Sequence, residues 1–278
     1  MQGQRYCRTE CLELALIEIF VRSRPVPHRG ATARHRIPLG LLLLSRQQLT
    51  GAQLRTALGA QRAAGHGQRQ GQNESQGQNE NQGQNEKKIG AWLQELGFVT
   101  ERQVTAALAR QWSCPVLRTG SMAMDASRFP PIPVLLLESF QMMPVELIEA
   151  TGTLLMAFSE GIDYTVLYAI EQMLGYRTEA CLVCPSTMRE SLQALTRHRG
   201  SKDIVFDRAE DADECAHIIG NYSAKVGAKE IRVAKCGAHF WVRLEGLGQE
   251  ALNLVLRIPE DDVTGLPASH AAAVALAI

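Results

Sequence analysis

Apolar and polar positions follow the same pattern in two separate stretches of the chain. When Pro38 is aligned with Lys88, two segments of 24 residues come into register and end at Gln61 and Gln111. Five apolar positions match inside the segments: Leu43 with Leu93, Leu49 with Val99, Leu54 with Val104, Ala57 with Ala107, and Leu58 with Leu108. An internal repeat of this kind predicts two copies of one helical unit.

Each segment is predicted to form a helix, a tight turn and a second, capped helix. Thr50 and Thr100 are each followed three residues later by glutamine, which is the spacing of a capping box at a helix N-terminus. Gly97 can end the first helix of the second segment in the left-handed conformation. The first segment has Gln47 at that position, and glutamine is a poorer helix terminator.

The stretch between the two segments has the composition of an unfolded insertion. Residues 65–87 contain no apolar residue and repeat Gly-Gln-Asn-Glu every six residues, starting at Gly71, Gly77 and Gly83. Such a sequence cannot bury apolar surface to offset its ordering entropy, so we expect a disordered insertion on the surface. A glutamine- and asparagine-rich interaction tract is the alternative interpretation.

Short apolar runs alternate with helical patterns over residues 112–199, which predicts a small α/β layer domain. Gly175 is expected to end the first long helix, and Thr187 with Glu190 forms a second capping-box pattern. The predicted helices span residues 132–140 and 162–173, and the predicted strands span residues 145–148, 153–158 and 178–183.

Residues 200–278 are predicted to form a third unit. A helical face ends at Gly227, and three alternating runs follow at residues 231–233, 240–244 and 252–258. This arrangement predicts one helix on a three-stranded antiparallel sheet. The tail, residues 267–278, is expected to add a helix that covers the sheet.

The fold class is therefore α+β. A helical tandem-motif bundle (37–111), a small α/β layer domain (112–199) and a C-terminal α+β unit (200–278) follow a basic N-terminal arm (1–36). Residues 12–21 can form one short helix, and the arginine- and proline-rich remainder of the arm reads as a tether. We expect a solvated arm, and an arm that docks on a membrane surface or a partner is the alternative.

Composition narrows the classes of function. Among 278 residues, 29 basic and 29 acidic side chains cancel, so no global field attracts nucleic acid. Seven cysteines fit reduced thiols, and the longest apolar stretches are far below the roughly 20 residues of a membrane span. The stretch before residue 22 lacks a signal-peptide cleavage site. We expect a cytoplasmic protein with no transmembrane segment.

Chemical motifs argue against an enzyme. The sequence has no G-x-x-x-x-G-K-[S/T] phosphate loop, no G-x-S-x-G elbow and no H-E-x-x-H zinc motif. Cys181 and Cys184 form the only C-x-x-C, so a thiol or metal protein is a third hypothesis. Cys215 and His217 face different sides of a helix and are expected to serve packing and surface. Trp241 lies in an alternating strand whose face is expected to be solvated or to meet a partner.

The second segment carries a family resemblance. The sequence Lys88-Ile-Gly-Ala-Trp-Leu-Gln-Glu-Leu-Gly-Phe-Val-Thr-Glu-Arg-Gln-Val-Thr-Ala-Ala-Leu-Ala-Arg-Gln111 resembles the N-terminal domain motif of type II secretion and type IV pilus assembly ATPases, the MshEN or GspE N-terminal family. The resemblance covers residues 36–198. It implies the docking and regulatory part of such a motor, without the ATPase itself.

Some members of that family bind cyclic di-GMP with two tandem motifs, each of which opens with Arg-Leu-Gly and closes on glutamine. The resemblance implies two half-sites: Leu39, Gly40 and Gln61 in one, and Lys88, Ile89, Gly90 and Gln111 in the other. Three positions depart from the family pattern, since Pro38 and Lys88 replace arginines and Gln47 replaces a glycine. Arg36, two residues upstream, is the candidate to replace the missing cation.

Two hypotheses about function follow. The first is a non-enzymatic cytoplasmic regulatory or adaptor protein that senses cyclic di-GMP through the repeat and requires no cofactor. The second is a docking module with a degenerate site, which binds secretion or pilus platform or motor proteins without nucleotide. The open edges of the predicted sheet also allow a homodimer.

Overall fold

The computed structural model describes residues 4–5, 9–22, 36–70, 87–117, 129–199, 203–207, 209, 211–246, 251–257 and 274–277. These residues form a mixed α+β structure with two mixed sheets. The helices are α1 (Thr9–Arg22), α2 (Leu39–Ser45), α3 (Gly51–Gln70), α4 (Ile89–Glu95), α5 (Glu101–Trp112), α6 (Val134–Ser139), α7 (Tyr164–Leu174), α8 (Pro185–Arg199) and α9 (Ala212–Val226). The strands are β1 (Gln4–Arg5), β2 (Met142–Ile148), β3 (Thr153–Phe158), β4 (Arg177–Leu182), β5 (Ile204–Phe206), β6 (Ala228–Cys236), β7 (His239–Gly246), β8 (Leu252–Arg257) and β9 (Val274–Ala277). None of the described helices combines the length and hydrophobicity needed to cross a membrane.

The capping boxes predicted at the start of α3 and α5 are both present. Thr100 Oγ1 accepts a hydrogen bond from the backbone N–H of Gln103 (3.3 Å), and Gln103 Oε1 accepts one from the N–H of Thr100 (2.7 Å). Thr50 and Gln53 make the same two bonds, at 3.3 and 2.9 Å. Each box satisfies two backbone donors that the first helical turn leaves free, so it fixes where the second helix of each motif begins.

The turn between the two helices of each motif needs a residue in the left-handed conformation. Gly97 has φ of +68° in the second motif, and Gln47 has φ of +58° in the first. The prediction that Gln47 occupies the place of a terminating glycine is therefore confirmed. A side chain in this conformation brings its Cβ close to the carbonyl oxygen, which costs about 1–2 kcal/mol.

Gln47→Gly is expected to raise the free energy of unfolding by about 0.5–1 kcal/mol, because glycine removes the steric strain but loses more chain entropy on folding. The measurement is urea unfolding followed by circular dichroism. The reverse change at the equivalent position, Gly97→Gln, is the matched control and is expected to lower stability by a similar amount. A loss of stability in Gln47→Gly would contradict the interpretation that the left-handed conformation of Gln47 is strained.

The predicted insertion begins later than its composition indicates. Helix α3 continues through residues 65–70, although Gly65 and Gly67 disfavour helix and only Gln68, Arg69 and Gln70 favour it. The remaining residues 71–86, which carry the Gly-Gln-Asn-Glu repeat, lie outside the described residues.

The α/β part has the predicted strands and helices. β2 pairs with β3 in the antiparallel sense, and β3 pairs with β4 in the parallel sense. Asp163 Oδ1 accepts hydrogen bonds from the N–H groups of Thr165 (2.8 Å) and Val166 (3.3 Å) and so begins α7. Gly175, with φ of +76°, ends this helix as expected.

The capping box predicted at Thr187 is wrong, because α8 already begins at Pro185. The fixed φ of proline suits the first turn of a helix. A donor for the turn is satisfied from elsewhere in the chain: Ser186 donates its backbone N–H to Glu101 Oε1 and its hydroxyl to Glu101 Oε2, both at 2.7 Å. A contact between residues so far apart in sequence leaves no local signal.

The second sheet is wider than predicted. The expected meander β6–β7–β8 is present, but three further strands extend it in the order β1-β9-β6-β7-β8-β5. The helix predicted over residues 267–278 is wrong for residues 274–277, which form β9 and pair with β6 in the antiparallel sense. An open edge of β6 offers a row of backbone donors and acceptors, and a short apolar tail satisfies them as a strand.

Helix α1 corrects the expectation of a solvated N-terminal arm. Leu12, Leu16 and Phe20 are buried, and α1 packs on α9 against one face of the second sheet. The ring of Phe20 meets the ring of Phe240 edge-on, with 4.7 Å between centroids. Residues spaced by four lie on one side of a helix, so these three form the stripe that the sheet covers.

The other face of the second sheet packs on the α/β part. Trp241, expected on a solvated or partner-binding face, is fully buried in the same core cluster as β3 and α7. Its Nε1–H donates to Asn253 Oδ1 (3.0 Å). Arg232 Nη1 also reaches across to the carbonyl oxygen of Met173 at the end of α7 (2.9 Å). The units predicted on either side of residue 200 thus share one hydrophobic core.

Candidate functional site

The closing glutamine of each motif binds the backbone that leads into the other motif. Gln61 Nε2 donates to the carbonyl oxygen of Lys87 (3.0 Å), and Gln111 Nε2 donates to the carbonyl oxygen of Ile37 (2.7 Å). Ile37 and Lys87 occupy equivalent positions, one residue before the aligned Pro38 and Lys88. The same hydrogen bond is therefore made twice, in opposite directions, as an approximate twofold relation between the motifs requires.

The helices of the two motifs are interlocked. Helix α2 packs on α5, and α3 packs on α4, so each motif supplies half of each helix pair. Matched residues of both motifs fill one core between them: Leu43 and Leu93, Leu49 and Val99, and Ala57 and Ala107 are all buried. The repeat read from the sequence is thus a single packed unit.

Gly40 and Gly90, both assigned to the half-sites by resemblance, are buried where helices meet closely. A Cβ on Gly40 would lie 2.8 Å from Leu54 Cδ1. A Cβ on Gly90 would lie 3.1 Å from Leu39 Cδ2 and from Val104 Cγ1. Both glycines therefore allow the first turns of α2 and α4 to approach their neighbours. Leu39 and Ile89 are partly buried against the same core.

Lys88 lies at the N-cap of α4 and extends toward the α/β part. Its Nζ lies 2.6 Å from Oε2 of Glu160, which is two residues after β3, and both side chains are more than half exposed. An exposed pair of this kind contributes little to stability, about 0–1 kcal/mol. Glu160 consequently positions the Lys88 ammonium, but the fold does not depend on this ion pair for its stability.

Arg36 lies over an aromatic ring next to this pair. Its guanidinium carbon is 3.3 Å from the centroid of the Trp112 ring, which directly follows Gln111. A Cβ on Gly161, the residue after Glu160, would lie 3.2 Å from Trp112 Cζ2. The turn at Glu160 and Gly161 therefore brings Lys88 and the Trp112 stack to one edge of the α/β part.

Sequence reasoning missed Trp112, Glu160 and Gly161 as parts of this edge. The signal for Trp112 was its position one residue after the motif, where the first motif has Arg62. Glu160 carries no local signal because it meets Lys88 across 72 positions of sequence. The two motifs thus differ chemically at their ends, because an aromatic residue follows only the second motif.

The thiol and metal hypothesis finds no support at the C-x-x-C. Burial, and then the charge of Cys114, raises the pKa of Cys181 to about 12, whereas a redox thiol requires a lowered pKa. The Thr105 hydroxyl donates a long hydrogen bond to Cys184 Sγ (3.7 Å). No group of three or more histidine, cysteine or acidic side chains able to hold a metal ion occurs within the described ranges.

Cys215 and His217 occupy different environments, as expected: one lies in the core and the other on the surface. Burial, with the nearby charges of Glu214 and Asp211, raises the pKa of Cys215 to about 12. His217 is exposed, and its Nδ1 lies 3.4 Å from Glu13 Oε1 on α1. The first is a core residue, and the second is a surface residue.

Two interlocked helix–turn–helix motifs joined to a small α/β layer define the class of this protein: a tandem-motif domain. Over 58% of its length the chain is similar to a structure of MshE with cdg, with 24% sequence identity, a TM-score of 0.43 and 99% of that chain covered. Over 60% of its length it is similar to the N-terminal domain of XpsE, with 18% identity, a TM-score of 0.37 and 97% of that chain covered. A second crystal form of that XpsE domain gives 18% identity and a TM-score of 0.28, with 98% covered.

The similarity to these structures thus extends over about 60% of the chain. No protein-family model and no curated protein matches the sequence.

Proposed function

We propose that this chain is a non-enzymatic regulatory or adaptor module whose paired motifs bind cyclic di-GMP. The observation that carries the proposal is the reciprocal bonding of Gln61 and Gln111, each to the backbone that leads into the opposite motif, which is consistent with an approximate twofold relation between the motifs. Cyclic di-GMP has the same symmetry, so each motif can meet one half of the ligand. The family resemblance of the second motif points to the same ligand.

The exposed groups at the edge match the chemistry of a guanine nucleotide. The Lys88 ammonium can meet a phosphate, and the Arg36 guanidinium can lie over guanine as it lies over Trp112. The side-chain amide of Gln111 can exchange its backbone acceptor for the edge of a base. Each such exchange costs little, because a hydrogen bond of this type contributes only about 0.5–1.5 kcal/mol net.

Glu160 is expected to compete with the ligand. Its carboxylate occupies the position beside Lys88 that a phosphate would take, and two anions at one ammonium repel each other. The ligand must therefore displace Glu160 from Lys88. Removal of its charge is expected to strengthen binding, an effect that a loss of structure cannot produce.

A nucleotide-independent docking module is the second candidate function. It is favoured by the partners that Gln61, Gln111 and Lys88 already have within the chain, and by Pro38, which supplies no cation at the start of the first motif. In this case the repeat serves as a packed scaffold, and the partners are secretion or pilus platform or motor proteins. A pull-down with and without nucleotide separates the two candidates.

The affinity for cyclic di-GMP in three variants tests the residue assignment. Lys88→Ala combined with Gln111→Ala is expected to weaken binding by about tenfold or more, since it removes a charge-assisted and a neutral hydrogen bond. Glu160→Gln is expected to strengthen binding by a few-fold. Arg102→Ala, which removes an exposed cation from the first turn of α5, is the matched control and should leave the affinity unchanged.

Thermal unfolding of each variant controls for damage to the fold, because Gln111 also bonds to Ile37. Unchanged affinity in the double variant, with the fold intact, refutes the assignment of Lys88 and Gln111. Failure of the unaltered chain to bind any cyclic di-GMP favours the docking module.

A further inference from the structure

A groove of about 640 Å³ runs between the end of α2 and the second half of α5. None of the half-site residues lines it. Its apolar wall is made by small and aliphatic side chains, and its charged side chains are two arginines, with no acidic residue among those that line it. The apolar residues include Leu42, Ala106, Ala109 and Val116, and the arginines are Arg46 and Arg110.

The two arginines have no partner within the described part of the chain. Neither Arg46 nor Arg110 makes an ion pair or a hydrogen bond there through its guanidinium group, and Arg110 is exposed. A guanidinium group has five donors and prefers a carboxylate or phosphate in a two-bond arrangement. The groove thus presents two free cations beside an apolar wall.

The repeat supplies an internal comparison. In the other motif, the positions equivalent to Arg46 and Arg110 are Leu96 and Ala60. The two motifs share their core residues, their capping boxes and their reciprocal glutamine bonds. The motif therefore folds without these cations, and the charges on this side break the twofold relation for a reason other than packing.

We propose that this groove docks an acidic peptide segment of a partner protein. Ala106 is half-buried, and its small side chain lets a peptide backbone approach α5 closely, whereas the neighbouring Ala109 is buried in the core. An apolar side chain of the peptide lies against Leu42 and Val116, and flanking carboxylates bind Arg46 and Arg110. No aromatic residue lines the groove, so it lacks the stacking surface that a nucleotide base requires.

A random 12-residue peptide library, selected on the full chain and sequenced, tests the proposal. Selected peptides are expected to carry two or more acidic residues around an apolar one and to bind more weakly as salt increases. Arg46→Glu combined with Arg110→Glu is expected to weaken their binding by about tenfold or more, because attraction becomes repulsion at both positions. Arg55→Glu with Arg102→Glu, at exposed positions of α3 and α5 outside the groove, is the matched control.

Three outcomes overturn the proposal: no selected binder, binders without acidic enrichment, or binders that keep their affinity in the groove variant. Circular dichroism of that variant shows whether it folds, and Arg46→Gln with Arg110→Gln serves as a milder change with the same expected direction. A cyclic di-GMP titration of the neutral variant, Arg46→Gln with Arg110→Gln, separates this proposal from the nucleotide site, since its affinity for nucleotide should stay close to that of the unaltered chain.

Discussion

Trp241→Ala is expected to lower the free energy of unfolding by about 3–5 kcal/mol, the range for removal of a large buried aromatic side chain. Trp241 is fully buried on the face of the second sheet that packs on the α/β part. The change opens a cavity in the core that joins the two units. It also leaves the buried Asn253 Oδ1 without the hydrogen bond that it accepts from the Trp241 N–H.

Urea unfolding followed by circular dichroism measures this effect. Trp241→Phe keeps one six-membered aromatic ring and loses the N–H and the rest of the indole, so its expected cost is smaller, about 1–3 kcal/mol. Val205→Ala, a truncation on the exposed edge strand β5, is the control and should change stability by less than about 0.5 kcal/mol. A cost below about 1 kcal/mol for Trp241→Ala would show that the sheet does not share a core with the α/β part.

Phe20→Ala is also expected to lower the free energy of unfolding by about 3–5 kcal/mol. The sequence predicted a solvated arm for the segment that contains Phe20, because the residues that flank it are basic. The ring is buried and meets Phe240 edge-on, in the core between α1, α9 and the second sheet. Loss of the ring removes both the buried area and the aromatic contact. Thermal unfolding gives the measurement.

Leu14→Ala on the same helix is the matched control. Leu14 is 68% exposed, so its truncation should change stability by less than about 0.5 kcal/mol. Similar effects for the two substitutions would mean that α1 does not pack as described.

Local signals were sufficient for most of the helices and strands. Thr50 and Thr100 predicted where α3 and α5 begin, and Gly175 and Gly227 predicted where α7 and α9 end, because caps and left-handed glycines act within one helical turn. Pairs of strands close in sequence, such as β6 and β7, also followed from alternation alone.

Long-range contacts account for what the sequence did not reveal. Helix α1 pairs with α9, some two hundred residues later, and β9 completes an edge that only the folded sheet creates. The burial of Trp241 depends on the α/β part, which is encoded elsewhere in the chain. Alternation shows that a strand has two faces, but it does not show what covers each of them.

The sequence likewise predicted only part of the candidate site. The repeat identified Gln61 and Gln111 as equivalent, and the structure adds that each binds the backbone leading into the opposite motif. The pairing of Lys88 with Glu160 and the stack of Arg36 on Trp112 required the fold, since both join separate elements.

Calorimetric titration of the full chain with cyclic di-GMP, beside GTP and ATP, shows whether the paired motifs bind this nucleotide. We expect saturable binding of cyclic di-GMP, with micromolar or tighter affinity and one ligand per chain, and no comparable binding of GTP or ATP. Absence of heat, together with an unchanged midpoint of thermal unfolding at saturating cyclic di-GMP, would contradict it. The paired motifs would then be a scaffold for protein docking.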